Sequence, residues 1–172
     1  MIEGIMIKNL VKHVDERGFF AELVREDWEE LLIGDEIIQF NLSFSYPGMI
    51  RAWHRHLRGQ VDYFICIDGS LKICIYDDRE DSKTHRELDE IIVSDENLRI
   101  VRVPGMLWHG YKAIGTKSTK LLYGVNRLYD YMDPDEERRP WNDPTIIPQS
   151  INGKTDDPRI GKQWDWNYPP HK

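Results

Sequence analysis

Apolar and polar residues alternate along residues 37–45, which carry the clearest strand pattern in the chain. Four apolar residues fall on one side of this predicted strand: Ile38, Phe40, Leu42 and Phe44. Four polar residues fall on the other side: Gln39, Asn41, Ser43 and Ser45. Because strand side chains alternate between the two faces of a sheet, we expect the polar face to line a wet or ligand-filled space.

Other short apolar runs, separated by turn residues, predict an all-β sandwich or barrel. Further strands are predicted over residues 5–14, 19–23, 63–67, 71–76, 98–103 and 120–125. The Gly-containing turn at residues 68–70 predicts a hairpin. One short helix is predicted over residues 27–32.

The chain has 172 residues, enough for one domain with its own core. Strand patterning fades from Tyr129 onward. We therefore predict a domain over residues 1–147 and an irregular tail over residues 148–172. The tail is expected to pack on the same domain through Trp164 and Trp166.

Charge and hydropathy narrow the class of protein. The net charge is −7, whereas sequence-independent binding to nucleic acid needs a basic surface. That function is therefore excluded, although a few local arginines could still hold a small anion. The N-terminus lacks a charged-then-apolar signal pattern, and no apolar run approaches ~18 residues. We expect a cytoplasmic protein that does not bind membranes.

Three histidines and one aspartate stand out as candidate chemistry. His54 and His56 are one residue apart, so on a strand they point to the same face. With Asp62, and between Gly48 and Gly69, they approximate the first metal motif of cupins, with Asp in place of the usual Glu, and His109 would complete a site of three histidines and one carboxylate. Imidazole and carboxylate ligands suit Fe, Mn, Ni or Zn. One interpretation is a metal-dependent cupin enzyme; the alternative is that His56 and Asp62 sit at the barrel mouth and bind nothing.

A second interpretation needs no metal. A neutral histidine is the commonest general base near pH 7, and it could remove a proton next to a carbonyl. A hydroxyl acid on the opposite face must then return a proton. The tyrosines of residues 123–131 could supply that acid, although a lone tyrosine at a strand end more often serves packing.

Seven segments, in order over roughly residues 10–147, resemble the dTDP-4-dehydrorhamnose 3,5-epimerase family. They are residues 15–22, 39–45, 51–54, 77–84, 94–97 with the following strand and Pro104, 109–111 and 141–144. The resemblance implies a cupin-type double-stranded β-helix, or jelly roll, with short peripheral helices and no metal or other cofactor. It implies epimerisation at C3, C5 or both of a nucleotide-activated 4-keto-6-deoxy sugar, in the biosynthesis of deoxysugars and cell-surface polysaccharides.

The resemblance also implies roles for individual residues. His54 resembles the base that removes protons next to the C4 ketone, and Tyr129 resembles the acid, with Tyr131 as its backup. Arg17 and Arg51 resemble the arginines that grip the diphosphate, as a bidentate fork on phosphate oxygens. The other expected substrate contacts are Glu22, Gln39, Asn41, His56 and His109, the last lining the same pocket.

The chain departs from the family pattern around the base. Asp62 stands where the family has a lysine, and the family's C-terminal segment with the aspartate partner of the base is missing. Ala52-Trp53 and His56 replace the usual Gly-Leu and Gln. We hypothesise that Asp62 hydrogen-bonds His54 and stabilises its imidazolium, as a carboxylate does in hydrolase triads. Asp165 is the rival for that role, and a solvated strand-end carboxylate is the alternative for Asp62.

The resemblance further implies a homodimer, in which an N-terminal strand crosses to the neighbouring barrel and Arg17 serves the partner's site. The sequence itself adds an early β segment and a polar-faced strand, which leave a sheet edge that needs covering. A non-catalytic cupin that binds sugar nucleotides remains a further alternative, because the lysine and the partner aspartate are missing.

Overall fold

Two β-sheets packed face to face make up most of the molecule, a computed structural model whose described residues are 1–168. The strands, in chain order, are β1 (Met6–Asn9), β2 (His13–Asp15), β3 (Gly18–Phe20), β4 (Gln39–Ser45), β5 (Ile50–Arg55), β6 (Val61–Asp68), β7 (Ser70–Tyr76), β8 (Glu87–Ser94), β9 (Arg99–Pro104), β10 (Trp108–Ile114), β11 (Thr119–Val125), β12 (Glu137–Arg138) and β13 (Ser150–Ile151). The single turn of helix α1 (Glu29–Leu32) lies between β3 and β4.

The strand order places sequence-distant strands side by side. One sheet has the order β1-β9-β6-β11-β4, and the other has the order β12-β5-β10-β7-β8-β13. Every pairing within them is antiparallel except that of β13 with β8. Strands β2 and β3 form a separate hairpin. The predicted strand over residues 5–14 is therefore two strands, because β1 pairs with β9 whereas β2 leaves that sheet.

The sheets bury an apolar core between them, and the alternation of side chains decides which residues enter it. On β6, Phe64 and Cys66 join this core, whereas Tyr63 and Ile65 pack on the other side of the sheet with α1. Asp62 lies on the same face as Phe64. The strand therefore directs one carboxylate into the space between the sheets.

The tail packs on the outer face of the six-stranded sheet. Trp164 and Trp166 are buried there, and the Trp166 ring lies 4.8 Å from the ring of Trp53. The Lys72 ammonium donates a hydrogen bond of 3.0 Å to the Trp166 carbonyl. The boundary at residue 147 stays a prediction, and residues 169–172 of the predicted tail lie outside the described residues.

Strand β4 shows the predicted alternation with an unexpected consequence. Its polar side chains point into the molecule, whereas its apolar side chains Phe40, Leu42 and Phe44 are exposed, Leu42 to 63%. β4 is also the edge of its sheet, since it pairs with β11 alone. An apolar strip therefore faces outward along an open sheet edge. Within residues 1–168, no helix is long and apolar enough to cross a bilayer.

Candidate active site

A cavity of about 520 Å³ opens at one end between the two sheets. Its walls come from β4, β5, β6 and β11, and its rim comes from residues 127–139. The polar face of β4 lines it through Gln39, Asn41 and Ser43, as the alternation in the sequence predicted. Its volume lies within the roughly 300–1,000 Å³ that is typical of small-molecule sites.

The three histidines and the aspartate meet at the base of this cavity. β5 carries His54, His56 directly follows that strand, β6 carries Asp62, and β10 places His109 directly opposite His54 in the strand register. The ring centre of His109 lies 4.2 Å from that of His54 and 5.8 Å from that of His56. One ligating atom from each of the four side chains lies within 4.8 Å of the others. Here the sequence spacing correctly predicted a cluster.

Asp62 contacts two of the histidines through one oxygen. Its Oδ2 lies 3.1 Å from Nε2 of His109 and 3.6 Å from Nε2 of His56. Its other oxygen, Oδ1, accepts a hydrogen bond of 3.0 Å from the Gln60 amide. Asp62 is 2% exposed and His109 is fully buried, so bulk water does not screen these contacts.

Backbone carbonyls fix the orientation of the two outer histidines. Nδ1 of His109 lies 2.8 Å from the Leu107 carbonyl oxygen, and Nδ1 of His56 contacts the Asp135 carbonyl oxygen. A carbonyl can only accept, so each Nδ1 carries a proton and each ring turns its Nε2 toward Asp62. Although close, Asp62 Oδ2 and His109 Nε2 have no hydrogen-bond partner within the described part of the chain.

His54 lines the cavity together with His56 and Asp62, and it is the only one of the four side chains that is not fully buried. Burial lowers the pKa of its imidazole well below the usual value, and the neighbouring His109, His56 and Arg138 lower it further. The ring is therefore neutral at pH 7 and has a lone pair available. Within residues 1–168 its side chain makes no hydrogen bond.

The hypothesis that Asp62 hydrogen-bonds His54 is wrong in this structure. The Asp62 carboxylate is turned toward His109 and His56, because β6 lies in the sheet opposite the one that holds β5 and β10. The rival Asp165 is exposed and accepts the backbone N–H of Asn167 at 2.8 Å. His109 was expected to line the pocket, but it lies behind His54 and does not reach the cavity surface.

The two candidate acid residues lie at the cavity rim. Tyr129 and Tyr131 both line it, with ring centres 5.1 Å apart, and Tyr131 is 86% exposed. The backbone N–H of Tyr129 donates to the Gln39 side-chain oxygen at 3.1 Å, and Gln39 in turn donates to Asn41 at 2.8 Å. These bonds join the start of the rim to the polar face of β4.

Arginine side chains line the cavity, and two of them pair with carboxylates, Arg138 with Glu136 and Arg139 with Asp78. Arg51, Arg127, Arg138 and Arg139 line it. Only the first was predicted, because the other three lie where strand patterning fades. The charge run at residues 136–139 is the signal that could have found Arg138 and Arg139.

Two other cavity residues, Tyr111 and Tyr123, were also missed by the sequence interpretation. The Tyr111 hydroxyl lies 2.7 Å from the Ser43 hydroxyl. Tyr123, on β11, packs against Phe64 of β6. Burial raises the pKa of the Tyr123 phenol, and the nearby charge of Asp62 raises it further. Their inward positions on strands β10 and β11 are the signal that could have identified them.

Arg17 and Glu22 lie away from the cavity of this chain. Arg17 sits in the β2–β3 turn, its side chain is 85% exposed, and it pairs with Asp15. Glu22 pairs with Arg25 at 2.7 Å. Neither residue contributes to the site that its own barrel encloses.

Known proteins of similar sequence and structure are epimerases or polysaccharide-biosynthesis proteins by name. The chain is 46% identical over 141 residues to the probable low-salt glycan biosynthesis epimerase Agl13 of Haloferax volcanii, covering 82% of this chain and 89% of that protein. It is 42% identical over 146 residues to the spore coat polysaccharide biosynthesis protein SpsL of Bacillus subtilis, covering 85% and 94% respectively.

A solved structure supports the same relationship. The dTDP-6-deoxy-D-glucose-3,5-epimerase RmlC from Legionella pneumophila, in complex with dTDP-4-keto-L-rhamnose, aligns with a TM-score of 0.76 at 27% identity, covering 84% of this chain and 77% of that chain. The predicted cupin-type jelly roll is thereby confirmed. A family model described as dTDP-4-dehydrorhamnose 3,5-epimerase matches residues 1–165. With these matches to its sequence and its fold, this chain belongs to the dTDP-4-dehydrorhamnose 3,5-epimerase family.

Proposed function

We propose that this protein epimerises a nucleotide-activated 4-keto-6-deoxy sugar at C3, C5 or both, in the biosynthesis of deoxysugars and polysaccharides. The observation that carries the proposal is the position of His54, a neutral imidazole at the base of a cavity whose rim holds tyrosines and arginines. Family membership supports the reaction class, and the geometry of the cavity supports the choice of residues.

His54 acts in this proposal as the general base. A carbon next to the C4 ketone gives its proton to the imidazole, and the electron pair moves onto O4 as an enolate. A buried neutral imidazole suits this step, because its lone pair is neither protonated nor hydrogen-bonded. A positioned base of this kind contributes roughly 10²–10⁴-fold to a rate.

Tyr129 acts as the acid that returns a proton on the opposite face. Its place on the rim of the cavity that His54 also lines, and the hydrogen bond from its backbone to Gln39, support this assignment. Tyr131 is the backup and is more exposed. With a lysine absent, backbone amides are left to stabilise the enolate oxygen, because the two ring nitrogens of His56 are directed at Asp135 and Asp62.

The arginines of the rim would hold the diphosphate of the substrate. Arg51 is steadied by bonds to the Ser45 hydroxyl at 3.2 Å and the Phe44 carbonyl at 3.3 Å. Its remaining guanidinium N–H groups, with those of Arg127, could donate to phosphate oxygens. The polar residues Gln39 and Asn41 would contact the base or the sugar.

A homodimer supports the same function. The outward apolar strip Phe40, Leu42 and Phe44 lies on the open edge strand β4, and a second copy could cover it. Arg17 lies outside its own barrel, which fits a role in the partner's site. The buried free thiols Cys66 and Cys74 fit a reducing compartment, and we place the protein in the cytoplasm.

Proton NMR in heavy water tests the proposed reaction. The protein is incubated with dTDP-4-keto-6-deoxyglucose, and the H3 and H5 signals are followed separately. We expect at least one signal to disappear as deuterium enters, together with a product of inverted configuration. If both signals persist at high enzyme concentration while the nucleotide sugar binds, the non-catalytic alternative holds and the proposed epimerisation is wrong.

A further inference from the structure

We propose that His54, His56, Asp62 and His109 form a binding site for one divalent transition-metal ion. Strands β5, β6 and β10 carry three of the side chains, and His56 directly follows β5. One ligating atom of each of the four lies within 4.8 Å of the others. This inference goes beyond epimerisation, because the reaction derived above uses no ion. Binding itself stands on the geometry alone, whereas its effect on activity rests on the proposed role of His54.

Unmatched lone pairs are the strongest argument. Nε2 of His109 and Nε2 of His56 both point at Asp62 Oδ2, at 3.1 and 3.6 Å. Because each Nδ1 donates to a backbone carbonyl, the two Nε2 atoms and Asp62 Oδ2 are the atoms left to face one another. Asp62 Oδ2 and His109 Nε2 accordingly lack any hydrogen-bond partner among residues 1–168. A buried carboxylate oxygen and imidazole nitrogens that converge in this way need a proton or a metal ion between them.

The surroundings of the cluster are those of a metal site. A histidine that binds a metal usually donates its other N–H to a carbonyl or carboxylate, which fixes the ring and its tautomer. The Nδ1–H group of His109 donates to the Leu107 carbonyl, and that of His56 donates to the Asp135 carbonyl. Gln60 holds the second carboxylate oxygen of Asp62. Each buried ligand is therefore oriented by a partner outside the cluster.

The Asp135 carbonyl is itself held in place. The carboxylate of Asp135 accepts the backbone N–H groups of Leu57 and Arg58, at 2.9 and 2.8 Å. These bonds tie the rim segment to the loop that follows His56. The histidine and its carbonyl partner therefore belong to one rigid unit.

The donor set selects the class of ion. Three imidazole nitrogens and one carboxylate oxygen suit Zn, Fe, Ni or Mn rather than Ca or Mg. For bonds of ~2.1 Å in a tetrahedral arrangement, neighbouring ligand atoms lie about 3.4 Å apart. The observed separations of 3.1 and 3.6 Å bracket that value. His54 is the least enclosed of the four and has no hydrogen bond to lose, so it can complete the set.

Binding of the ion would oppose base catalysis. The His54 nitrogen cannot ligate a metal and accept a proton at the same time. An ion held by all four side chains would therefore inhibit proton abstraction, and its removal would restore it. The competing explanation of the converging lone pairs is a shared proton on His109, which binds no metal.

Metal binding is tested on the protein without a polyhistidine tag, after treatment with a chelator and gel filtration. The probes are Zn²⁺ in isothermal titration calorimetry and Co²⁺ in absorption spectroscopy, which reports the ligand geometry. We expect one ion per chain. Asp62→Asn and His56→Gln each remove a proposed ligand. Each should therefore weaken binding by more than the ~10–100-fold that is lost when a residue hydrogen-bonded to a ligand is replaced. His85→Gln, which removes an exposed imidazole outside the cluster, should bind like the wild type.

The two variants are first compared with the wild type by circular dichroism, and either one that keeps its fold is sufficient. Absence of one-to-one binding in the wild type overturns the metal site and favours the shared proton. Equal binding by Asp62→Asn and His56→Gln overturns it as well, because the ion would then lie elsewhere.

The activity measurement separates this inference from the proposed function. Deuterium exchange into the keto sugar should fall at least tenfold when one equivalent of Zn²⁺ is bound and recover when chelator is added. Exchange that is unchanged by bound metal overturns His54 as a ligand. Absence of exchange in the stripped enzyme would refute epimerisation, while the calorimetric result on metal binding would stand by itself.

Discussion

Replacing Asp77 with asparagine should remove one of the strongest local interactions in this fold. Asp77 follows β7 and its side chain is fully buried. It accepts hydrogen bonds from the Arg79 guanidinium at 2.8 Å, the Ser82 hydroxyl at 2.6 Å and the Thr84 hydroxyl at 2.7 Å. One carboxylate therefore organises the loop of residues 77–84, a segment through which the sequence resembles its family.

The magnitude follows from the pKa of this carboxyl group. Burial alone raises the pKa of Asp77, but the hydrogen bonds from Arg79, Ser82 and Thr84 outweigh it and lower the pKa from 3.8 to about 2. One pKa unit corresponds to 1.36 kcal/mol, so the ionised carboxylate contributes about 2 kcal/mol to the free energy of unfolding. Because the folded pKa is the lower one, this contribution is complete above pH ~4 and is lost as the pH falls toward 2.

The assay is urea unfolding at fixed protein concentration, at pH 7 and near pH 2.5. At pH 7 we expect Asp77→Asn to lower the free energy of unfolding by about 2 kcal/mol, or the melting temperature by roughly 4–8 °C. Near pH 2.5 the difference from the wild type should shrink. Asp81→Asn, in the same loop but exposed, is the control and should change stability by under ~0.5 kcal/mol. An equal loss for Asp77→Asn at both pH values would refute the reasoning.

Three further predictions concern the acid, the dimer and the tail. Tyr129→Phe should lower the rate of inversion by roughly 10²–10⁴-fold, while NMR of the recovered substrate still shows deuterium entering; unchanged inversion would exclude Tyr129 as the acid. Leu42→Lys should place like charges in the proposed dimer seam and give monomers in light scattering, whereas Ile92→Lys, exposed on the other sheet, should leave dimers; a dimeric Leu42→Lys protein would contradict the proposed seam. Trp166→Ala should cost about 3–5 kcal/mol in urea unfolding, because its fully buried ring packs on Trp53; a loss below ~1 kcal/mol would show that the tail adds little stability.

Local patterns predicted the parts of the site that depend on one strand. The alternation in residues 39–45 placed Gln39 and Asn41 in the cavity, and the spacing of His54 and His56 placed both on one face. Such patterns follow from the two-residue period of a strand. These patterns hold whichever strand pairs with the strand that carries them.

Contacts between side chains of different strands could not be predicted from the sequence in the same way. Asp62 turns to His109 and His56 because β6 lies in the opposite sheet, and no spacing in the sequence states which strands face each other. Arg138 was missed for a related reason, since it reaches the cavity from β12, a two-residue strand with no recognisable pattern. Both positions follow from the way the sheets close on each other.

The exchange rate of a His54→Asn variant tests the central claim most directly. Wild type, His54→Asn and the control His85→Gln are stripped of metal, and entry of deuterium at C3 and C5 of dTDP-4-keto-6-deoxyglucose is followed by NMR. If His54 is the base, its replacement lowers the exchange rate by at least ~10²-fold, while the control exchanges like the wild type. Exchange by His54→Asn at the wild-type rate, with the fold and nucleotide-sugar binding intact, would show that another group removes the proton.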